Sequence, residues 1–261
     1  MTAVLQLLNP NRIFSKKIMT VIFGFWAVMI FFFWTVGPSR LVPRPLDVFS
    51  SFGPLFRDGL MVEVMSSIKT NMEAIFIGTV ISLLLSYLTV LPIMRPVAWG
   101  FSKGRFLGLI GLTFLFTLLT GGGHNLKVAL MVFGYSVFFV TSMSQVVAEI
   151  PKDEYEHART LRMSEWRVVW EVVVLGKLDQ AFEVLRQNAA IGWMMLTMVE
   201  GIVRSEGGIG AMLLAENKHF RLEAVFAIQL VILTVGLAQD YLIGIIRSIV
   251  CPYAKLTLER R

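Results

Sequence analysis

The stretch Ile150–Glu171, IPKDEYEHARTLRMSEWRVVWE, decides how the rest of the chain is read. It places Lys152, Asp153, Glu154, Glu156, Arg159, Arg162, Glu165, Arg167 and Glu171 within about six helical turns. A helix with that density of charge cannot face hydrocarbon. Its local signals are helical all the same. Pro151 suits a first turn, where its missing N–H costs nothing, and Asp153 and Glu154 follow at the positive end of the helix dipole. Glu156 and Arg159, three apart, are spaced to pair on one face. Ser164 is placed to cap a second helix from Glu165, with Trp166, Val169, Trp170, Val173 and Val174 along an apolar side expected to lie on a core. The pattern predicts a short helix, a bend and a second amphipathic helix.

On either side the sequence changes character. The 261 residues are 56% hydrophobic and only 16% charged, with mean hydropathy +0.69. Soluble domains carry about 25% charged residues, so this chain lacks the charge to cover a water-facing surface. The fold class expected is all-α, a polytopic membrane protein. At about 20 apolar residues per crossing, six spans are predicted: Ile18–Val36, Asn71–Pro92, Phe106–Thr120, Val128–Ala148, Asn188–Val203 and Ala224–Ile246. Gly37–Lys69, with four prolines, reads as an extramembrane connection with short helical pieces. GGGHNLK (Gly121–Lys127) reads as a tight break. Lys16 and Lys17 precede a first apolar run too long for a signal peptide, and TVGPSR after it lacks a small-x-small site, so an uncleaved first span is expected.

With both termini inside, sixteen Lys and Arg fall on inner segments and eight on outer ones, the direction the positive-inside rule requires. The net charge of +6 is thereby accounted for without nucleic acid. The expected organisation is one transmembrane domain over 1–261. It comprises a cytoplasmic segment 1–17, a six-span core 18–247 that holds a cytoplasmic loop 150–187, and a cytoplasmic tail 248–261, in a cytoplasmic (inner) membrane. Cys251 is the only cysteine, which excludes an internal disulfide, and three scattered histidines offer no metal cluster. No G-x-x-x-x-G-K-[ST] is present, so no phosphate loop of that type is encoded. No nucleophile–base set can be placed.

The stretch EHARTLRMSEWRVVWEVVVLGKLDQAFEVLR resembles the EAA loop of permease subunits in bacterial ABC importers. Glu156, Ala158, Arg159, Thr160, Leu161 and Ser164 match the common EAARTLGAS form. His157 replaces its second residue, Arg162 its glycine, and Gly176 the proline expected after Leu175. LVPRPLDVFSSF (Leu41–Phe52), GGGHNLKVALMVFGYSVFFVTSMSQVVAEIP and VEGIVRSEGGIGAMLLAENKHFRLEAVFAIQLV are similar, in the same order, to segments of the nitrate/taurine/sulfonate importer group. The resemblance implies a non-catalytic subunit whose residues Glu156 to Trp166 form a coupling helix, with Glu156 and Arg159 contacting a cytoplasmic ATPase. It implies ATP and magnesium in that partner and none in this chain. It further implies a second permease copy, an extracytoplasmic substrate-binding protein, and a small organic anion or related solute as cargo.

Glu200 falls on that group's AE position in a span lining the pathway; the alternative is a carboxylate paired with Arg204, four residues on. Tyr135, Asn188 and Trp193 are further pathway candidates, with simple packing as the alternative. His124 is a loop residue or an outer ligand, and Gly207, Gly208 and Gly210 form a plain turn or an outer gate. An ATPase-free transporter or channel is the competing reading. It would place ionisable groups in mid-span, whereas Glu73 and Glu200 lie near span ends and Asp240 in the inner part of the last.

Overall fold

In the computed structural model, residues 16–36 and 42–253 are described. The remainder, which holds most of the expected N-terminal segment, part of the connection after the first span and most of the tail, lies outside the described residues. Eleven helices follow one another: α1 (Lys16–Val36), α2 (Pro45–Arg57), α3 (Leu60–Tyr87), α4 (Arg95–Lys103), α5 (Leu109–Thr120), α6 (Gly123–Ala148), α7 (Lys152–Thr160), α8 (Glu165–Val168), α9 (Leu178–Ile202), α10 (Ile209–Lys218) and α11 (Leu222–Val250). The π-helical turns of Val169–Leu175 continue α8. No strand occurs among the described residues.

Four of these helical stretches are long and apolar enough to cross a membrane: Ile18–Thr35, Leu60–Val90, Gly123–Ala148 and Leu222–Val250. A fifth crossing exists if Pro92–Phe106 and Leu109–Thr120, bent by 115°, count as one. The measure does not reach the six expected from the sequence. α9 has the length, at 25 residues, but Asp179, Glu183, Arg186 and Glu200 dilute its hydropathy. α5 has only 12 residues, about 18 Å of rise, too short to cross alone.

Several predicted boundaries move. α3 begins at Leu60, eleven residues before the expected Asn71, because Gly59 (φ +91°) makes the break, while Glu63 and Lys69 are tolerated within the helix. α9 begins at Leu178 rather than Asn188, so the charged loop closes ten residues early. The break before α6 falls at the glycines but is shorter than expected: Gly121, Gly122 and Gly123 are all at positive φ, yet α6 begins at Gly123 rather than Val128, so His124 to Lys127 are helical and His124 is not a loop residue.

α6 is the centre of the bundle, with 67% of its span buried, against 0% for α1. α3 and α6 run parallel, since Glu73 meets His124 and Gly78 meets Tyr135. The Gly78 backbone lies so close that a Cβ there would sit 2.6 Å from the Tyr135 ring. α9 and α11 run antiparallel, joined by Trp193 with Gln239 and Glu183 with Arg247. Leu130, Met131, Leu196 and Val199 pack with Ala74 where α3, α6 and α9 meet. α2 lies across the start of α11, its Val48 and Leu55 packed with Ala224, Ala227 and Ile228. α1 stands apart except near Trp34, whose indole N–H donates to the Pro43 carbonyl at 3.0 Å. Its exposed Phe and Trp side chains suit hydrocarbon.

Candidate functional site

Charge gathers at the two ends of the bundle. At one end hangs the segment Ile150–Gly176. Pro151 (φ −61°, ψ 144°) is the residue before α7 rather than within its first turn. α7 ends at Thr160, and just past Leu161 the chain turns at Arg162, which takes the left-handed conformation with φ +54°. Non-glycine residues adopt that region at a cost. This is the position at which the resembling motif carries glycine, and arginine here accepts the turn rather than extending the helix. Ser164 then precedes α8 with extended backbone, as the spacing predicts, but its hydroxyl makes no capping bond.

The expected Glu156–Arg159 pair does not form. Arg159 instead reaches across the bend and grips Glu165 with two hydrogen bonds, 2.9 and 3.0 Å. That fork-to-carboxylate geometry holds α7 against α8. The adjacent guanidinium keeps the Glu165 carboxyl below its ordinary value. Lys177 ties the base of α9 to Glu154 at 3.0 Å, and burial raises the Tyr155 phenol. The apolar side of α8 also differs from expectation. Val168 and Val173 are buried, but Trp166 and Trp170 are 66% and 56% exposed. Trp170 lies in the π-helical turns, whose i, i+5 spacing turns Val168 and Val173 inward together, while Trp166 precedes them. Gly176 closes them, its N–H donating to the Glu171 carbonyl at 2.9 Å, a bond that a proline there could not make.

On α7, Ala158 is buried against the bundle. Lys152, Tyr155, Glu156 and Arg159, spaced i, i+3, i+4, i+7, line a cleft of about 730 Å³ between α7, α4 and the end of α6. The exposed stripe opposite Ala158 carries Asp153, His157 and Thr160.

At the other end, a buried polar cluster holds the start of α10. Glu200 is 0% exposed. One of its oxygens accepts the Ser67 hydroxyl at 2.7 Å and the other the Gly210 N–H at 2.9 Å. The Ser67 oxygen accepts the Ile209 N–H at 2.8 Å, and the Gly208 N–H donates to Glu63. Lys127, buried, donates to the Gly207 carbonyl at 2.6 Å. The first N–H groups of a helix have no partner within it, and carboxylates suit its positive end. Glu200 and Glu63 thus cap α10 from neighbouring helices. No ion pair joins Glu200 to Arg204, whose side chain donates to the Gly201 carbonyl at 3.1 Å. Gly207 (φ +64°) and Gly208 (φ +108°) form the turn before α10, and Gly210 packs directly on the Thr197 backbone. α10 itself was not anticipated between the last two spans.

The other candidates are also satisfied within the chain. The Tyr135 hydroxyl shares a 3.0 Å hydrogen bond with Thr79. Asn188 donates to the Val184 carbonyl at 2.8 Å. Trp193 and Asn71 both donate to the Gln239 carbonyl oxygen at 2.8 Å. His124 pairs with Glu73 at 2.9 Å, both about 40% exposed. Sequence reasoning missed Glu63, Ser67, Asn71, Lys127 and Gln239. The signal available for three of them was the spacing Glu63, Ser67, Asn71, one residue every helical turn on α3.

Solved structures with a similar arrangement of helices include two ABC transporters. A chain of an amino acid ABC transporter crystallised with histidines superposes with a TM-score of 0.57 at 14% identity, over 77% of this chain and 94% of that one. A chain of the MetNI methionine ABC transporter, in an inward-facing conformation, gives 0.54 at 16% identity, over 74% and 95%. This chain shares its fold with chains of ABC transporters. No family model matches its sequence, and no curated protein does. In this chain the charged helix–bend–helix and the capped α10 occupy opposite ends of one bundle.

Proposed function

We propose that the chain is the membrane-spanning permease of an ABC importer. The observation that carries this reading is the fold shared with ABC transporter chains over nearly their whole length. A charged helix–bend–helix between two core helices of that fold supports it. The α7 end faces the cytoplasm, as the distribution of Lys and Arg favours. α4 with α5 makes one crossing and α9 another, giving six with the four apolar spans. A cytoplasmic ATPase, which binds ATP and magnesium, docks on α7 through the stripe Asp153, His157 and Thr160. Arg159 keeps the two arms of the docking element rigid. A second copy of the chain completes a two-fold pathway, and an outer binding protein delivers a small organic anion or related solute of the nitrate/taurine/sulfonate class.

Motion of the ATPases displaces α7, the clamped bend carries the displacement through α8 into α9, and α9 holds α10 through Glu200. The cargo gains access because each state binds the partners differently. The chain itself performs no chemistry.

The test is disulfide or thiol crosslinking in native membranes from a Cys251→Ser background. His157→Cys is expected to trap an ATP-hydrolysing subunit, whereas Met194→Cys, exposed on α9, traps none. Failure of His157→Cys, Asp153→Cys and Thr160→Cys alike, with transport intact, would overturn the docking assignment.

A further inference from the structure

The cleft between α4 and α7 is not absorbed by that reading, and its chemistry is specific. Its volume is about 730 Å³. Arg95 and Lys152 contribute positive charge to its walls. The Lys152 ammonium has no partner among the described residues, and Arg95 donates only from Nε, to the Thr89 carbonyl at 3.2 Å. Arg159 also lines the cleft but is neutralised by Glu165. Glu156 is the one carboxylate in the lining. In the wall, the Ser144 hydroxyl is buried without a hydrogen-bond partner. One side of the cleft is formed in part by Trp99, whose ring is itself exposed on α4. α4, which carries Trp99, is continued by α5, and the two together are apolar enough to lie in lipid. A cationic hollow with an unmet hydroxyl, open along one side to a hydrocarbon-facing helix, fits a ligand with an anionic head and an apolar tail.

We propose that this cleft binds the phosphate headgroup of an anionic phospholipid from the leaflet at the α7 end. Arg95 and Lys152 pair with the phosphate, Ser144 donates to a headgroup oxygen, and Trp99 lies along the glycerol and upper acyl chains, as aromatic residues do at that depth. The bound lipid bridges α4 to α7 and so steadies the base of the bend. The site stands whether or not an ATPase docks on the opposite stripe of α7.

The experiment uses the full chain in nanodiscs of phosphatidylcholine containing spin-labelled phosphatidylglycerol or, separately, spin-labelled phosphatidylcholine. The immobilised fraction of each lipid is read by electron paramagnetic resonance. Preference for the anionic lipid is expected to fall roughly fivefold for each charge removed in Arg95→Gln and Lys152→Gln, with the immobilised phosphatidylcholine unchanged. The charge-matched pair Lys103→Gln and Arg105→Gln, close along the chain but neither lining the cleft, is expected to retain most of the preference. Equal losses from the two pairs would mean general surface attraction and would overturn the site. Release of the labelled lipid by millimolar inorganic phosphate, at constant ionic strength, would assign the cleft to free phosphate instead and overturn the lipid.

Discussion

Replacing Arg162 by glycine is expected to stabilise the segment that it bends, although the change deletes a whole side chain. Arg162 holds φ +54°, where an L-residue is disfavoured by about 1–2 kcal/mol. Glycine takes that conformation freely but surrenders about 0.5–1 kcal/mol of backbone freedom on ordering. The guanidinium has no partner to lose among the described residues, and the local N–H bond to the Arg159 carbonyl, 2.9 Å, is kept. The net gain is about 0.5–1 kcal/mol, or roughly two- to fivefold fewer openings of the α7–α8 bend. Hydrogen–deuterium exchange of the Val168 amide, which donates to the Ser164 carbonyl at 2.9 Å, reads those openings. Arg162→Val, with a β-branched side chain, is expected to open more often than the native chain. An Arg162→Gly protein that exchanges faster than native, or a valine variant that exchanges no faster, would refute the reasoning from backbone strain.

Glu200→Ala removes both acceptors at the start of α10, leaving the Gly210 N–H and the Ser67 hydroxyl without that partner. A loss of about 1–3 kcal/mol for each group left unpaired is expected, seen as a lowered thermal midpoint in detergent, and Glu200→Gln should recover part of it. Gly208→Ala would press a methyl group into the Glu200 carboxyl at φ +108°. It should cost about 1–3 kcal/mol and increase proteolysis before α10. At Gly176, alanine would meet the Val172 carbonyl at 2.5 Å, so Gly176→Ala should disorder the π-helical turns, visible as a changed Trp170 emission. Arg159 depresses the Glu165 carboxyl below its ordinary 4.5, so the clamp is intact above that pH. It should weaken only as pH falls through the lowered folded value, a loss that Trp166 quenching would follow and that Arg159→Gln would abolish.

The parts of the fold legible in the sequence were those written in composition and in breaks. The charge deficit pointed to a membrane bundle, and three glycines stopped the helix before α6. The helix–bend–helix of Ile150–Gly176 could be read from Pro151, Ser164 and the acids of its first turn. What escaped depended on partners distant along the chain. Glu63 and Lys69 looked like loop residues because nothing local reveals that Gly208 awaits a carboxylate 145 residues away. Arg159 was assigned to Glu156 by helical spacing, but the bend at Arg162 brought Glu165 into bidentate reach. α spacing groups Val173 with Trp166 and Trp170, whereas in π-helical turns it is Val168 and Val173, five apart, that share the buried face. α10 has too little amphipathic pattern of its own to announce itself, since its start is fixed by Glu200, Ser67 and Glu63 from outside.

The central claim is that α7 couples this bundle to an ATP-hydrolysing partner. The most direct measurement is to purify the full chain from its native membranes in mild detergent, identify what accompanies it, and assay ATP hydrolysis. A parallel sample would carry charge-reversing substitutions at Asp153 and His157. The account predicts a co-purifying ATPase whose association is lost in that sample while the α-helical content of the chain is retained. A chain that emerges folded, alone and without ATPase activity, yet still transports in liposomes lacking ATP, would contradict it.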